Sequence, residues 1–290
     1  MSAHPASTRS RDGLRLAYAV AEPGSEHGSG SEQRPPTLIF VHGWCGDRSV
    51  WRHQLAYFAH RYRVVALDLA GHGESEGGRA LWTMSAFGDD VACVAEAVTG
   101  TVTGENVPLV LIGHSMAGEV IVEAARALAD SGHVVGLIGI DCLWDPDRDI
   151  TAELIETTLE PFRADYAAAA GAYVRDLFLP EADPALVESL VRSMVAVPAS
   201  VGLGALEQIL LHRPVLRESL RQLEAPISVI NSMDWRPMNL DAARRYGIEV
   251  RELPGVGHFS MLEEPGAVNG LIDRILERKF LVSDESGHYV

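Results

Sequence analysis

Residues 108–130, PLVLIGHSMAGEVIVEAARALAD, join a short continuous apolar run to an amphipathic stretch, with only Gly113, His114, Ser115 and Met116 between them. An apolar run of this length ending in glycine is the pattern of a strand buried on both faces, and the stretch after it has helical spacing. The junction is then a strand-to-helix turn tight enough to strain the backbone at Ser115. Residues two positions either side of such a serine must be small. Gly113 and Ala117 meet that demand, and Gly118 follows. A serine that merely caps a helix is the plainer reading of the pentapeptide alone, so the rest of the chain has to decide.

Working outward, TLIFVHG (37–43), YRVVALD (62–68) and VVGLIGID (134–141) repeat the buried-strand pattern, with the helical stretches SVWRHQLAYFAH and TMSAFGDDVACVAEAV between them. Strands and helices alternating in this way build βαβ units and a parallel sheet covered on both faces. From 146 to 222 only helical patterns occur, after which APISVIN, NLDAARRYG, IEVRELPG and GAVNGLIDRILERKF resume the alternation. The expected architecture is α/β: a mostly parallel doubly wound sheet from residues 1–145 and 223–290, with 146–222 as a helical lid inserted before the penultimate strand. At the N-terminus, residues 1–10 read as frayed, GLRLAYAVAEPG as a strand leading into a hairpin, and GSEHGSGSEQRPP as a flexible connection.

The net charge of −16 argues against nucleic acid or an anionic membrane as partner, since both require a basic face. Lys279 is the sole lysine, which removes Schiff-base and Walker-lysine chemistry from the interior of the chain. Cys45, Cys93 and Cys142 are odd in number with no CxxC spacing, so a reduced, cytoplasmic setting is expected, and the N-terminus lacks the apolar core of a signal peptide. GHGESE has Glu76 where a dinucleotide fingerprint needs its third glycine, and no HExxH or similar cluster appears; neither cofactor nor metal is expected.

His258, in LPGVGHFSML, follows the last expected strand and so falls at the same sheet edge as Ser115. It is the candidate general base. His42, His72 and His114 also lie near strand ends, where a turn role suffices. The first carboxylate after APISVIN is Asp234, the preferred acid to orient the imidazole, with Asp141 at the end of VVGLIGID as the alternative and Asp145 behind it. After HGWCG, the backbone N–H of Trp44, with that of Met116, is the candidate oxyanion hole. Trp44, Met116, Trp144, Trp235 and Phe259 are the expected substrate contacts, joined from the lid by Phe162, Tyr166, Tyr173 and Phe178.

HGWCGDRSVW, ALDLAGHGES, IGHSMAGE and GVGHFSMLEEP together resemble the blocks of the α/β-hydrolase superfamily, and the likeness covers about residues 12–280. It implies a lidded serine hydrolase with its site in the order nucleophile, acid, histidine. A small hydrophobic ester, thioester or lactone is the expected substrate. C–C bond hydrolysis, perhydrolysis, a silent ligand-binding role, and a cyclase or thioesterase role with a carrier-protein partner stay open, as does a homodimer.

Overall fold

The computed structural model describes residues 3–23, 35–100 and 107–278. One sheet of eight strands organises it: β1 (His4–Arg9), β2 (Arg15–Ala21), β3 (Thr37–Val41), β4 (Val64–Leu67), β5 (Leu109–His114), β6 (Val134–Ile140), β7 (Ile227–Ser232) and β8 (Ile248–Leu253). Their spatial order is β1-β2-β4-β3-β5-β6-β7-β8. From β4 to β8 every pairing is parallel, whereas β1 with β2 and β2 with β4 are antiparallel. This is the doubly wound α/β sheet expected from the sequence. β3, β4 and β5 are buried at every residue, which is why they read as unbroken apolar runs rather than as alternation.

The N-terminal expectation fails. Residues 4–9 pair with β2 in the register His4↔Val20 to Arg9↔Arg15, so the hairpin precedes β2 instead of following it. Its turn is closed by Ser10 N–H to Leu14 O (2.9 Å) and Gly13 N–H to Ser10 O (2.9 Å), with Gly13 at φ 90°. As an edge strand with no buried residue, β1 carries no hydrophobic signal and tolerates Pro5. Residues 24–34 of the expected flexible connection lie outside the described residues.

Helices α1 (Arg52–Phe58) and α11 (Pro265–Leu276) pack together, joined by the buried Gln54 side chain, which donates to Asn269 Oδ1 (3.1 Å) and Met261 O (3.2 Å). On the other face α2 (Met84–Thr99) packs on α3 (Ala117–Ala127). Between β6 and β7 come five helices: α4 (Ala152–Ala164), α5 (Tyr166–Asp176), α6 (Pro184–Val195), α7 (Ala199–Leu211) and α8 (Arg213–Gln222). The short helices α9 (Leu240–Arg245) and α10 (Ser260–Glu263) flank β8. Among the described residues no single helix is long and apolar enough to cross a membrane.

The helical insertion is tied to α3 by buried charges. His212, at the α7–α8 junction, lies 2.8 Å from Glu119 and 3.5 Å from Glu123, while Ser219 of α8 donates to Glu123 (2.5 Å). Arg126 and Arg213 complete the cluster at 3.0 Å from Glu123 and 3.4 Å from Glu119. Burial pushes the His212 pKa down, but hydrogen bonds to Glu119 and Glu123 outweigh it and hold the imidazolium up to about 9. A folded-state pKa above the unfolded value of about 6.5 gives stability that is full below that value and is lost as pH rises through about 9. The contribution is on the order of 3 kcal/mol. Melting temperatures from pH 6 to pH 10 should therefore fall in the wild type and run flatter in His212→Gln. Parallel curves would show that the cluster does not titrate in this way.

Candidate active site

Ser115 stands between β5 and α3 at φ 56°, a left-handed conformation costly for a residue with a Cβ. The turn is packed from below: a Cβ at Gly113 would meet Ala117 O at 2.5 Å, so only glycine fits there. Ser115 N–H bonds to Ile140 O of β6 (2.9 Å) and Ser115 O accepts from Gly118 N–H (2.9 Å), which fix the serine at the strand edge. From 109 to 125 it is the single residue that is not buried.

The turn after β3 comes in beside it. Gly43 lies so close that an added Cβ would be 3.0 Å from Ser115 Cβ and 3.0 Å from His114 O. His42 holds that turn, its Nδ1–H donating to Gly43 O (2.8 Å) and its Nε2 accepting from Leu69 N–H (3.1 Å). Burial lowers the His42 pKa to about 4, and the acceptor role needs the neutral ring. Trp44 is anchored through Nε1–H to Gly202 O of α7 (2.7 Å). Met116 precedes α3 with no side-chain cap on the helix, and among the described residues no hydrogen bond uses the N–H of Trp44 or Met116.

His258 reaches the same place through His114. The His114 Nε2–H donates to His258 O (2.9 Å), and the two rings lie 4.5 Å apart. His258 N–H in turn donates to Leu177 O, just past α5 (2.8 Å), so the helical insertion also holds this loop. The imidazole is buried between Trp235 (4.5 Å) and Trp144 (5.5 Å). Burial first, then the fields of His114 and Arg236, hold its pKa well below the ordinary histidine value. Ser115, the Gly43–Trp44 turn and His258 thus converge at one edge of the sheet.

The candidate acids are arranged otherwise than the imidazole needs. His258 Nδ1 is buried without a hydrogen-bond partner. Asp234 is exposed and its Oδ2 accepts from Gly255 N–H (2.6 Å), three residues before His258. Asp141 is fully buried at φ 46°, accepting from Ser232 N–H (2.5 Å), Ser232 Oγ (2.5 Å) and Ser260 Oγ (3.3 Å). Burial pushes Asp141 up to about 7 against those hydrogen bonds. It clamps the ends of β6 and β7 to the start of α10. Asp145 accepts from Asp147 N–H (3.2 Å) and Asn239 Nδ2 (3.0 Å), a staple within its loop.

An aromatic cluster joins the insertion to the turn after β3. Trp44 meets Phe162 (5.9 Å), Tyr166 (6.5 Å) and Tyr173 (5.6 Å) edge-on, and Tyr173 keeps 41% of its surface accessible. Trp144 and Trp235 pack at 5.3 Å, and Trp235 Nε1–H donates to Asp176 O (3.1 Å). Phe259 is buried in a stack on Phe178 (5.2 Å), which makes both packing residues. Among the described residues no group of three or more His, Cys, Asp or Glu is arranged to hold a metal ion. Sequence reasoning passed over His114 as a bridge and Arg236 as a neighbour of the imidazole. His114's adjacency to Ser115 was the available signal for the first; the second had none.

Residues 38–271 match the model of a family described as the alpha/beta hydrolase family. Among curated proteins, lipase LipV of Mycobacterium tuberculosis is 30% identical over 163 residues, 54% of this chain and 58% of that protein. The chain spans from 15% to 58% of the length of the curated relatives it matches. A thermophilic esterase from Thermogutta terrifontis superposes with a TM-score of 0.74 at 24% identity, covering 96% of this chain and 99% of that one. The enol-lactonase from Burkholderia xenovorans LB400 gives 0.76 at 19%, covering 94% and 100%. With the sheet order, the strained serine turn and a family match over most of its length, the chain belongs to the alpha/beta hydrolase family.

Proposed function

We propose that the chain is a serine hydrolase that cleaves a small hydrophobic ester, thioester or lactone by two-step acyl transfer. The observation that carries this reading is Ser115: strained, raised above buried neighbours, and set where the Gly43 turn and His258 meet. Ser115 Oγ attacks the carbonyl carbon while His258 takes its proton, and the backbone N–H groups of Trp44 and Met116 hold the oxyanion. The imidazolium then gives the proton to the leaving oxygen or sulfur. Water, activated by the same imidazole, releases the acid and restores Ser115. The depressed His258 pKa keeps the imidazole neutral near pH 7, the form a base needs.

Asp234 is the proposed acid, supported by its place after β7 and by its bond to the loop that carries His258. The insertion 146–222, with helices α4–α8, is the proposed lid, and the aromatic cluster it completes with Trp44 favours an apolar substrate. Lactone ring opening follows the same steps, with the leaving oxygen retained on the acyl chain.

A fluorophosphonate probe tests the nucleophile directly. One adduct per chain is expected, mapped by peptide mass spectrometry to Ser115, together with turnover of 4-nitrophenyl esters of short and medium chain length. Ester turnover without an adduct at Ser115 would overturn the assignment.

A further inference from the structure

The loop after β7 carries Arg236, whose guanidinium lies 4.7 Å from the Trp144 ring centre and 5.5 Å from that of Trp235. These are the two indoles that flank His258. The chain has 40 acidic residues against 24 basic ones, so most arginines find a carboxylate. Arg236 makes no ion pair or side-chain hydrogen bond among the described residues. Partial burial first, and then the fields of Arg148 and Arg213, hold its pKa below the ordinary arginine value. Arg213 itself has Nε and Nη1 buried without a hydrogen-bond partner, and its nearest carboxylate oxygen is Glu119 Oε1 at 3.4 Å. Under the Arg236 guanidinium, the Trp144 Nε1–H is likewise buried with no acceptor.

A cation stacked on an indole is a common surface feature worth about 0.5–1 kcal/mol. Stacking accounts for the pose of Arg236 but not for an exposed guanidinium left without a carboxylate among the described residues, in an acidic protein, beside the candidate base. A guanidinium without a carboxylate partner favours an incoming anion, and a planar fork suits a carboxylate best. We propose that Arg236 is the anchor for a carboxylate on the substrate, so that the preferred substrate is an ester, thioester or lactone with an apolar body and one anionic end. The proposal rests on the hydrolase reading above and narrows its substrate class. Trp44 and Tyr173 take the apolar body; Arg236 holds the charged end and so sets how the scissile carbonyl sits over Ser115.

Two pairs of esters distinguish where the carboxylate belongs. The 4-nitrophenyl monoester of adipic acid against 4-nitrophenyl hexanoate places it on the acyl part, and 4-carboxyphenyl butanoate against phenyl butanoate places it on the alcohol part. In one pair, Arg236→Gln should lower kcat/KM for the anionic ester about 10- to 100-fold more than for its neutral partner, chiefly through KM. Arg236→Lys should recover part of that loss. An unchanged anionic-to-neutral ratio in both pairs would overturn the proposal. Binding separates this from the nucleophile assignment: in Ser115→Ala, quenching of tryptophan fluorescence by the two anionic esters needs no turnover. Weaker quenching once Arg236→Gln is added supports the anchor even if Ser115 proves not to be the nucleophile, and equal quenching removes it.

Discussion

Ser115→Ala is expected to lower ester turnover by roughly four to six orders of magnitude while leaving the melting temperature within a few degrees of wild type. Members of a catalytic unit act together, so removing the nucleophile alone forfeits nearly the whole advantage of the site. What survives is the roughly 10³–10⁴-fold catalysis over water that an oxyanion hole and substrate binding supply by themselves. Stability should change little, because the hydroxyl makes no hydrogen bond among the described residues, although the left-handed backbone at 115 stays strained with alanine in place. Steady-state kinetics on a 4-nitrophenyl ester, paired with a thermal melt, reads both quantities. Turnover within tenfold of wild type would mean that another group attacks the carbonyl.

The second large effect separates two carboxylates. Asp234→Asn is expected to cut kcat by about 10⁴-fold, the scale seen when a triad acid loses its charge and the histidine takes the wrong tautomer. Asp141→Asn should leave kcat within about tenfold and instead destabilise the fold. Asp141 accepts three hydrogen bonds from Ser232 and Ser260, and an amide nitrogen would turn a donor toward one of them at a cost of about 1–3 kcal/mol. The physical ground for preferring Asp234 is twofold. Asp141 already accepts three hydrogen bonds, and burial pushes it up to about 7, so it is partly protonated near neutral pH and carries less charge to stabilise an imidazolium. Among the described residues Asp234 accepts only from Gly255 N–H, on Oδ2, and the bare Nδ1 of His258 needs an acceptor. Retention of more than a tenth of kcat in Asp234→Asn, with a severe loss in Asp141→Asn, would exchange the two assignments.

Much of the sheet was legible because burial on both faces leaves a mark in the residues themselves. β5 and β6 begin and end within a residue of the runs 108–114 and 134–141, and β4 occupies the middle of 62–68. The serine turn was legible for a different reason, since its steric demand selects small residues at 113 and 117. β1 was misread because none of its residues is fully buried and its inner face offers only the small apolar residue Ala6, too little hydrophobic signal to distinguish it from a frayed end. α8 carried a helical pattern continuous with the insertion, yet it packs on α3 through His212 and Ser219.

From its residues alone, this chain determined a parallel sheet, the serine at its edge and the loop that brings up the histidine, because hydrophobic runs and tight turns are local properties. Tertiary structure alone decided that His114 bridges to His258, that Asp141 is tied up as a clamp, that Phe259 packs against Phe178, and that Arg236 stands beside the indoles flanking His258 with no carboxylate partner among the described residues. Each of those depends on which groups from distant segments meet, and on which donors and charges are left unmatched once they do. Pairing and its absence are properties of the folded neighbourhood, not of any residue in it.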